Sequence, residues 1–405
     1  FKIIAGGDNM KKKIAILLTL CMVFSFTISL TACGGGESGD ASAEAIKIGF
    51  FCPESAASAA ADGQSARQSA ELAVQICNDN GGINGTPVEL VKYDDGLDTT
   101  EAANIAEKLI SSDAVDAVVS GSYSGPTKVA APIFQDAGMV MVSAYAVHPD
   151  VVNAGNLIFS QSFPGYVQGT AAAKFAAEQL QAKKVAIVAV DLDFGTEQAE
   201  AFKAKAKDYG MEIVSEDYIA ISDNDMTSVI SKIKGEGVDL IYSVNYYEQA
   251  AEVCRQVKAQ GLDVDILGTE GADSWQLLET AGEAAQGLYI TTNMNRDDES
   301  EATQAYISKY RETYNMEPDM VGASVYDAFQ VLFAAFAEAG TGDSEALAQY
   351  ISGMTDFATV TGNLIKYTEA GSAVKPVQIQ KVGDDTLFHN FSIIEDEEII
   401  NPDNY

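Results

Sequence analysis

The chain has 405 residues, 47% of them hydrophobic and 21% charged, which is enough for two ordinary domains. Its 59 acidic and 25 basic side chains give a formal net charge of −34. A surface this acidic repels nucleic acid and anionic lipid, which argues against a DNA or RNA partner. The acidity favours solubility, and recruitment of cationic ligands is the alternative explanation.

The first 40 residues have the pattern of an export signal. A lysine cluster at 11–13 precedes an apolar run over 14–30, which ends in Leu30-Thr31-Ala32-Cys33. This ending resembles the lipobox of bacterial lipoproteins, in which the cysteine is acylated and becomes the first residue of the mature chain. An uncleaved transmembrane anchor is the alternative, since a span needs about 18 apolar residues.

The residues after the cysteine are typical of a flexible tether, because 34–40 consist mainly of glycine with small or charged residues. We therefore expect residues 1–32 to be upstream residues and a signal peptide, and 33–44 to be a tether. Cys33 would carry the lipid, which places the protein on the extracytoplasmic face of the cell membrane. Three further cysteines, Cys52, Cys77 and Cys254, are an odd set, and buried small hydrophobic side chains are their expected role.

From residue 45 onward, β-prone runs alternate with helical patterns in two successive series. In the first series the predicted strands are 46–51, 88–93, 117–119 and 139–142, and the predicted helices are 64–80, a segment after Thr100, and 126–137. In the second series the predicted strands are 185–190, 212–214, 240–242, 265–267 and 288–290, and the predicted helices are 197–209, 226–234 and 249–260. Strands that alternate with helices form parallel sheets covered on both faces, so two series predict two doubly wound α/β lobes.

The last third of the chain breaks this alternation. Helices are predicted over 301–314, 321–339 and 344–352, followed by a strand over 377–382. Helices without strands of their own must pack on a sheet that was built earlier, so the chain is expected to return to the first lobe and then to cross again. We expect lobe 1 to comprise 45–163 and 292–374, and lobe 2 to comprise 164–291 and 375–405. Several crossings favour a hinge, with a ligand at the carboxyl ends of the strands.

Catalytic motifs are missing from this pattern. The only histidines, His148 and His389, are far apart in sequence, which argues against a zinc site or a histidine-based triad. A nucleophile elbow would need serine at position 123, where Tyr123 stands. No Walker loop or G-x-G-x-x-G follows a strand. We therefore expect no enzyme activity, no cofactor and no metal.

Three polar features after strand ends are candidates for ligand binding. Ser124 follows a buried strand and opens a helix, where free N–H groups and the helix dipole suit a carboxylate, although a structural cap is the alternative. Glu270 follows another strand and could pair with an amine or lie in solvent. Tyr246 could stack on a ligand or fill the hinge.

Several segments, in this order, resemble the branched-chain amino-acid binding proteins of ABC importers, which have the type I periplasmic-binding fold. The resemblance covers about 45–385, and it is carried by Asn80-Gly81-Gly82-Ile83-Asn84-Gly85, Lys92-Tyr93-Asp94-Asp95, Asp239-Leu240-Ile241-Tyr242 with Tyr246-Tyr247, Arg255-Gln256 with Gly261-Leu262, and Gly268-Thr269-Glu270-Gly271. It implies capture of an amino acid by hinge closure and partnership with a permease and an ATPase.

The resemblance also implies roles for individual residues. Ser124 matches the serine that holds the ligand carboxylate, and Glu270 matches the acid that pairs with the amine, with Tyr246 beside it. Tyr145 and Ala146 match a backbone carbonyl that faces the amine. Phe194 matches an aromatic residue that covers the ligand from lobe 2.

This sequence departs from the family at the pocket. Val147 stands where a threonine usually contacts the head group, Asp62 replaces a bulky aromatic residue, and Ser122 replaces an apolar one. Leu97 and Tyr123 occupy the positions of the family's first-lobe disulfide, and we count Tyr123 among the pocket residues. The pocket is therefore expected to be more polar than a leucine site. An amide, a urea or a short peptide as ligand, or a role as a ligand sensor, remain alternatives.

Overall fold

The computed structural model describes residues 44–340 and 342–405. The predicted signal peptide, Cys33 and the tether up to residue 43 lie outside the described residues. The first part of the described chain alternates strands and helices: β1 (Ile46–Cys52), α1 (Ala60–Asp79), β2 (Val88–Asp94), α2 (Thr99–Lys108), β3 (Ala117–Ser120), α3 (Ser124–Asp136), β4 (Met141–Ser143) and β5 (Ile158–Ser160). Their five strands form a parallel sheet in the order β2-β1-β3-β4-β5.

The second part repeats this alternation. It consists of α4 (Gly165–Glu178), β6 (Lys184–Val190), α5 (Asp193–Asp208), β7 (Glu212–Ile219), α6 (Thr227–Glu236), β8 (Leu240–Val244), α7 (Tyr247–Gln260), β9 (Asp265–Gly268), α8 (Trp275–Ala281) and β10 (Tyr289–Thr292). The β6, β8 and β9 strands are almost wholly buried, as expected for a sheet that has helices on both faces.

The last part begins with helices and ends with strands. It comprises α9 (Glu301–Tyr314), α10 (Met320–Ala339), α11 (Ser344–Ser352), β11 (Thr355–Phe357), β12 (Leu364–Tyr367), β13 (Ala373–Val374), β14 (Val377–Val382), β15 (Phe388–Ile394) and α12 (Glu397–Ile400). Strands β14 and β15 join the second sheet as antiparallel strands and give the order β15-β14-β10-β9-β8-β6-β7. Strands β11 to β13 form a small antiparallel sheet.

We call the part around the five-stranded sheet the first lobe and the part around the seven-stranded sheet the second lobe. The chain passes between them after β5, after β10 and after β13. Helix α10 packs against α1, and α9 and α11 contact α1 and α10, so the predicted return of the chain to the first sheet is confirmed. The exact residue boundaries proposed for the lobes stay a prediction.

Helix α10 is the one helix among the described residues that is long and apolar enough to cross a membrane. In this structure 78% of its apolar window is buried in the protein, as in the core helix of a globular domain. Its side chains Val325, Phe329 and Leu332 belong to the main hydrophobic core.

A buried polar group fixes the chain ahead of its last passage between the lobes. Asp327 of α10 accepts hydrogen bonds from the backbone N–H groups of Val360 (2.8 Å) and Thr361 (3.0 Å). Lys375 is fully buried, and its ammonium group contacts the Thr361 hydroxyl. Burial lowers the pKa of Lys375 to about 8, and the Asp327 carboxylate opposes that shift. The lysine therefore links the hinge segment to the core of the first lobe.

Most predicted elements are present, but some begin elsewhere. Helix α1 begins at Ala60 rather than at 64, and β4 covers Met141–Ser143 rather than 139–142. Helix α3 begins at Ser124 rather than at 126, and its capping residue is Tyr123, so a structural cap at Ser124 is wrong. Cys52 and Cys254 are buried as expected and Cys77 is half-buried, and none of the three forms a disulfide in the described part of the chain.

The sequence did not predict α4, α8, β5, the small antiparallel sheet or β15. Helix α4 is buried on most sides and rich in alanine, so it lacks the apolar stripe that reveals an amphipathic helix. Strand β5 has only three residues, and β15 has mostly exposed or half-exposed side chains. None of these elements had a clear hydrophobic period.

Candidate functional site

The carboxyl ends of strands from both sheets meet at a small cavity between the lobes. Asp62, Ser124 and Tyr145 lie beyond β1, β3 and β4, and Phe194, Tyr246 and Glu270 lie beyond β6, β8 and β9. The cavity has a volume of about 20 Å³, little more than one water molecule needs. Its lining consists of Asp62, Tyr123, Ser124, Tyr145, Phe194, Tyr246, Glu270, Gly271, Met320 and Val321.

A close backbone approach places Asp62 at the cavity. A Cβ atom on Gly63 would lie 2.6 Å from the carbonyl oxygen of Pro53, so only glycine lets the first turn of α1 pack against the loop after β1. Asp62 is 4% exposed, and its Oδ2 accepts a hydrogen bond of 2.6 Å from the Tyr123 hydroxyl. The pair joins the start of α1 to the start of α3 within the first lobe.

A second close approach places Glu270. A Cβ atom on Gly271 would lie 2.8 Å from the carbonyl oxygen of Asn245 and 3.0 Å from the Phe194 ring. Glu270 therefore sits against the end of β8 and the start of α5, and it is 4% exposed. Its Oε1 accepts a long hydrogen bond of 3.5 Å from the Gln198 amide. Its Oε2 is buried and has no hydrogen-bond partner among the described residues.

Three aromatic rings form a continuous stack across the cleft. The ring centroids of Tyr123 and Tyr246 are 4.5 Å apart with an angle of 8° between the planes, and those of Tyr246 and Phe194 are 4.7 Å apart with an angle of 18°. Tyr145 contacts Tyr123 edge-on at 6.2 Å. Since Tyr123 belongs to the first lobe and Tyr246 and Phe194 to the second, the stack holds the two lobes together.

An ion pair at the rim of the cleft also joins the lobes. The Lys128 ammonium group of α3 contacts the carboxylate of Asp193 at the start of α5. The His148 Nε2 lies 3.9 Å from the same carboxylate. The Lys128 and Asp193 side chains remain partly exposed, so this pair contributes little beyond orientation.

Burial makes the ionised forms of both cavity carboxylates unfavourable. It raises the pKa of Glu270 to about 8, and the carboxylates of Glu197 and Asp273 act in the same direction. Burial also raises the pKa of Asp62 to about 7, with further contributions from Asp319, Asp273 and Glu248. A positive charge that entered the cavity would favour the ionised form of both groups.

Asp273, which helps to raise the pKa of both cavity carboxyl groups, already has a cationic partner. Arg296 forms an ion pair with the fully buried carboxylate of Asp273, whose Oδ2 accepts a hydrogen bond of 2.7 Å from the Thr292 hydroxyl. Asp319 caps α10 by accepting from the N–H of Gly322 at 2.9 Å, and it also accepts from the Ser65 hydroxyl at 2.5 Å. The cavity is therefore acidic without a counter-charge of its own.

The start of α3 is a feature of the lining that suits an anion. No side chain caps this helix of 13 residues, and Pro126 has no N–H group to offer. The N–H groups of Ser124 and Gly125 have no partner within the helix, and the positive end of the helix dipole lies at the same helix end as the Ser124 hydroxyl. Ser124 is 6% exposed and lines the cavity.

Comparison with known proteins identifies the family that has this architecture. Residues 45–386 match the model of a family described as periplasmic binding protein. The chain belongs to this family. It is 30% identical over 335 residues to a leucine-, isoleucine-, valine-, threonine- and alanine-binding protein of Pseudomonas aeruginosa, a match that covers 82% of this chain and 88% of that protein.

Two solved periplasmic binding proteins of this kind resemble the whole described fold. The substrate-binding protein LivJ of a branched-chain amino acid transporter from Streptococcus pneumoniae, solved with isoleucine, superposes with a TM-score of 0.79 at 28% identity and covers 87% of this chain and 99% of its own. The leucine-binding protein LivK of Thermotoga maritima gives a TM-score of 0.80 at 28% identity and covers 89% and 100%. The fold class predicted from the sequence, two α/β lobes of the type I periplasmic-binding fold, is confirmed.

The structure brings most of the predicted site residues of this periplasmic binding protein together. Asp62, Tyr123, Ser124, Tyr145, Phe194, Tyr246 and Glu270 all line the cavity. The other three predicted residues, Ser122, Ala146 and Val147, are buried but lie outside the lining. The ligand-binding roles of all ten stay predictions.

Gly271, Met320 and Val321 line the cavity and were not predicted. The sequence feature that could have indicated Met320 and Val321 is Asp319. This residue is a typical N-cap in front of a helix that must return to the first lobe. A helix that starts at the cleft exposes its first residues to the ligand site. Sequence alone did not show which end of α10 faces the cleft.

Proposed function

We propose that this protein captures an α-amino acid between its lobes and delivers it to an ABC importer. The observation that carries the proposal is Oε2 of Glu270, a carboxylate oxygen buried at the lobe interface without a partner in the described structure. An ammonium group is the ligand chemistry that would satisfy it, because charge-assisted hydrogen bonds to a carboxylate are strong where water is excluded.

The carboxylate of the same ligand would bind at the start of α3. The Ser124 hydroxyl and the free N–H groups of the first helical turn are hydrogen-bond donors, and the helix dipole favours negative charge there. Ser124 belongs to the first lobe and Glu270 to the second. A molecule that carries both an ammonium and a carboxylate group on neighbouring atoms would therefore connect the two lobes.

The lobes would open and close around this ligand by a hinge. Three chain passages connect them, and the ring stack and a partly exposed ion pair join the lobes across the cleft. The cavity of about 20 Å³ is too small for an amino acid, so entry requires Tyr123 and Tyr246 to separate. We propose lobe boundaries at 45–163 with 292–374, and 164–291 with 375–405.

The relatives support this reading. The proteins similar to this chain are solute-binding proteins, among them a leucine-, isoleucine-, valine-, threonine- and alanine-binding protein and a substrate-binding protein of a branched-chain amino acid transporter. Binding without chemical conversion, and partnership with a permease and an ATPase, are the corresponding proposals here. We also propose that Cys33 is acylated and anchors the protein to the outer face of the cell membrane.

Closure of the ligand-free protein should be lost as the pH rises. In the closed form the pKa is about 7 for Asp62 and about 8 for Glu270, so both carboxyls are neutral below about pH 6 and closure buries no charge. At about pH 9 closure would bury two negative charges. Small-angle scattering should show a larger radius of gyration at about pH 9 than at about pH 6.

The matched control is the double variant Asp62→Asn/Glu270→Gln, which keeps the side-chain shapes and removes both titrations. Its radius of gyration should stay constant over the same range. A wild-type protein that does not expand, or a double variant that expands equally, would contradict the electrostatic account of closure.

Glu270 should be the strongest single determinant of amino-acid affinity. Removal of one partner of a buried ion pair costs on the order of 3–5 kcal/mol, or roughly two to four decades in Kd. Titration calorimetry should therefore detect no binding to Glu270→Ala and only weak binding to Glu270→Gln, with the fold intact in both. Glu283→Ala removes an acid that is 82% exposed in the same lobe and should bind as the wild type does. Binding to Glu270→Ala within threefold of wild type would show that the ligand has no amine at this position.

Cys33→Ser should release the protein from the membrane. The lysine cluster, the apolar run and the Leu-Thr-Ala-Cys ending predict that this cysteine is acylated and that the preceding residues are removed. Fractionation of cells that express the full chain, with mass spectrometry of the mature amino terminus, is the measurement. Cys77→Ser leaves the signal intact and should remain anchored. A Cys33→Ser variant that is processed and anchored like the wild type would exclude the lipid attachment.

A further inference from the structure

The Asp62 carboxyl group is not accounted for by the capture of an amino-acid head group. It is 4% exposed at the cavity wall, and the Tyr123 hydroxyl is its only side-chain hydrogen-bond donor in residues 44–340 and 342–405. No lysine, arginine or histidine of the described chain forms an ion pair with it. Burial of an ionised carboxylate that has no cationic partner costs free energy, unless a positive charge reaches it.

The charge balance of the cavity points to an additional cation on the ligand. The lining contains two carboxyl groups, Asp62 and Glu270, and no cationic side chain. An α-amino acid supplies one ammonium group, which Glu270 would bind, and one carboxylate, which the start of α3 would bind. A neutral side chain would then leave Asp62 buried and unpaired inside the closed cleft.

The surroundings of Asp62 favour a cation further. Asp319, Asp273 and Glu248 raise its pKa, in addition to burial, which means that the local potential is negative. Tyr123, which donates to Asp62, presents its ring face to Tyr246, and Phe194 and Tyr145 complete a group of four aromatic rings. Faces of aromatic rings attract ammonium and guanidinium groups, and this attraction is largest where water is excluded.

The two acids are also divided between the lobes. Asp62 belongs to α1 of the first lobe, and Glu270 follows β9 of the second. Tyr246 lines the same cavity as both acids, and after burial each carboxylate helps to raise the pKa of this tyrosine. A ligand with two separate cationic groups could therefore pair with one acid in each lobe as the lobes close.

We propose that the ligand is an amino acid with a cationic side chain, an ammonium or a guanidinium group, and that Asp62 selects it. This inference rests on the function proposed above and adds the class of side chain. Asp62 would pair with the side-chain cation between the rings of Tyr123 and Tyr246, while Glu270 holds the α-ammonium group. An apolar side chain such as that of leucine would bind poorly, because closure would leave the Asp62 charge without a partner.

The test compares ligands and variants by titration calorimetry at about pH 7.5. L-lysine, L-ornithine and L-arginine are the cationic ligands, and L-leucine and L-glutamine are the neutral ones. Wild type should bind at least one cationic ligand roughly 10- to 100-fold tighter than either neutral one, the range expected for a hydrogen bond to a charged group. The comparison of arginine with lysine and ornithine distinguishes a guanidinium from an ammonium site.

Asp62→Asn and Asp62→Leu separate the charge of this residue from its shape. Asp62→Asn should lose roughly 10- to 100-fold affinity for the cationic ligand and bind neutral amino acids at least as tightly as wild type does, because the unpaired charge is gone. Asp62→Leu should reverse the preference toward leucine. Melting temperatures of the ligand-free variants, measured beside wild type, establish that each variant is folded.

The outcomes distinguish the two proposals. If a neutral amino acid binds wild type at least as tightly as the cationic ones, and Glu270→Gln weakens that binding, the selection by Asp62 is wrong and the capture of amino acids stands. An unchanged affinity of Asp62→Asn for the cationic ligand also overturns the selection. If wild type binds no amino acid of either class, both proposals fail.

Discussion

The carboxyl group of Glu270 lies at the interface of the two lobes, 4% exposed, and one of its oxygens has no donor in the described structure. The next residue, Gly271, packs closely against Asn245 and Phe194 and holds this segment against the end of β8. A carboxyl group in this place must either keep its proton or receive a positive charge from outside. The position of Glu270 therefore makes closure of the cleft depend on protonation or on the ligand.

The rest of the cleft is arranged around the same constraint. The stack of Tyr123, Tyr246 and Phe194 supplies apolar surface that closes the front and excludes water, which strengthens every electrostatic contact behind it. Asp62 adds a second buried carboxyl group in the opposite lobe. Arg296 does not neutralise either carboxyl group, because it already forms an ion pair with Asp273. The cleft therefore closes stably when both carboxyl groups keep their protons or when a positive charge enters it.

Much of this arrangement could be predicted from sequence because it depends on local patterns. Alternation of apolar runs with helical periods predicted both sheets, and Ser124, Tyr246 and Glu270 follow strand ends, where ligands bind in α/β sheets. Resemblance to a family added Asp62, Phe194 and Tyr145. The first of these inferences required only the order of elements along the chain, and the second required the matching family motifs.

The remainder depends on contacts between distant segments. The ring stack joins residues 123, 194 and 246, and nothing in the sequence near any of them indicates that their faces meet. Met320 and Val321 reach the cavity only because α10 returns to pack on α1 with its amino end toward the cleft. Strand β15 forms by pairing with β14. Its side chains are mostly exposed or half-exposed, so its sequence has no apolar pattern that predicts a strand.

A crystal structure with the bound ligand tests the central claim most directly. The account predicts a ligand nitrogen about 2.7–2.9 Å from Oε2 of Glu270, the distance of a charge-assisted hydrogen bond. It also predicts that the ligand separates the rings of Tyr123 and Tyr246, which are now 4.5 Å apart. A ligand that binds in the closed cleft and leaves Oε2 of Glu270 without a hydrogen-bond donor would contradict it.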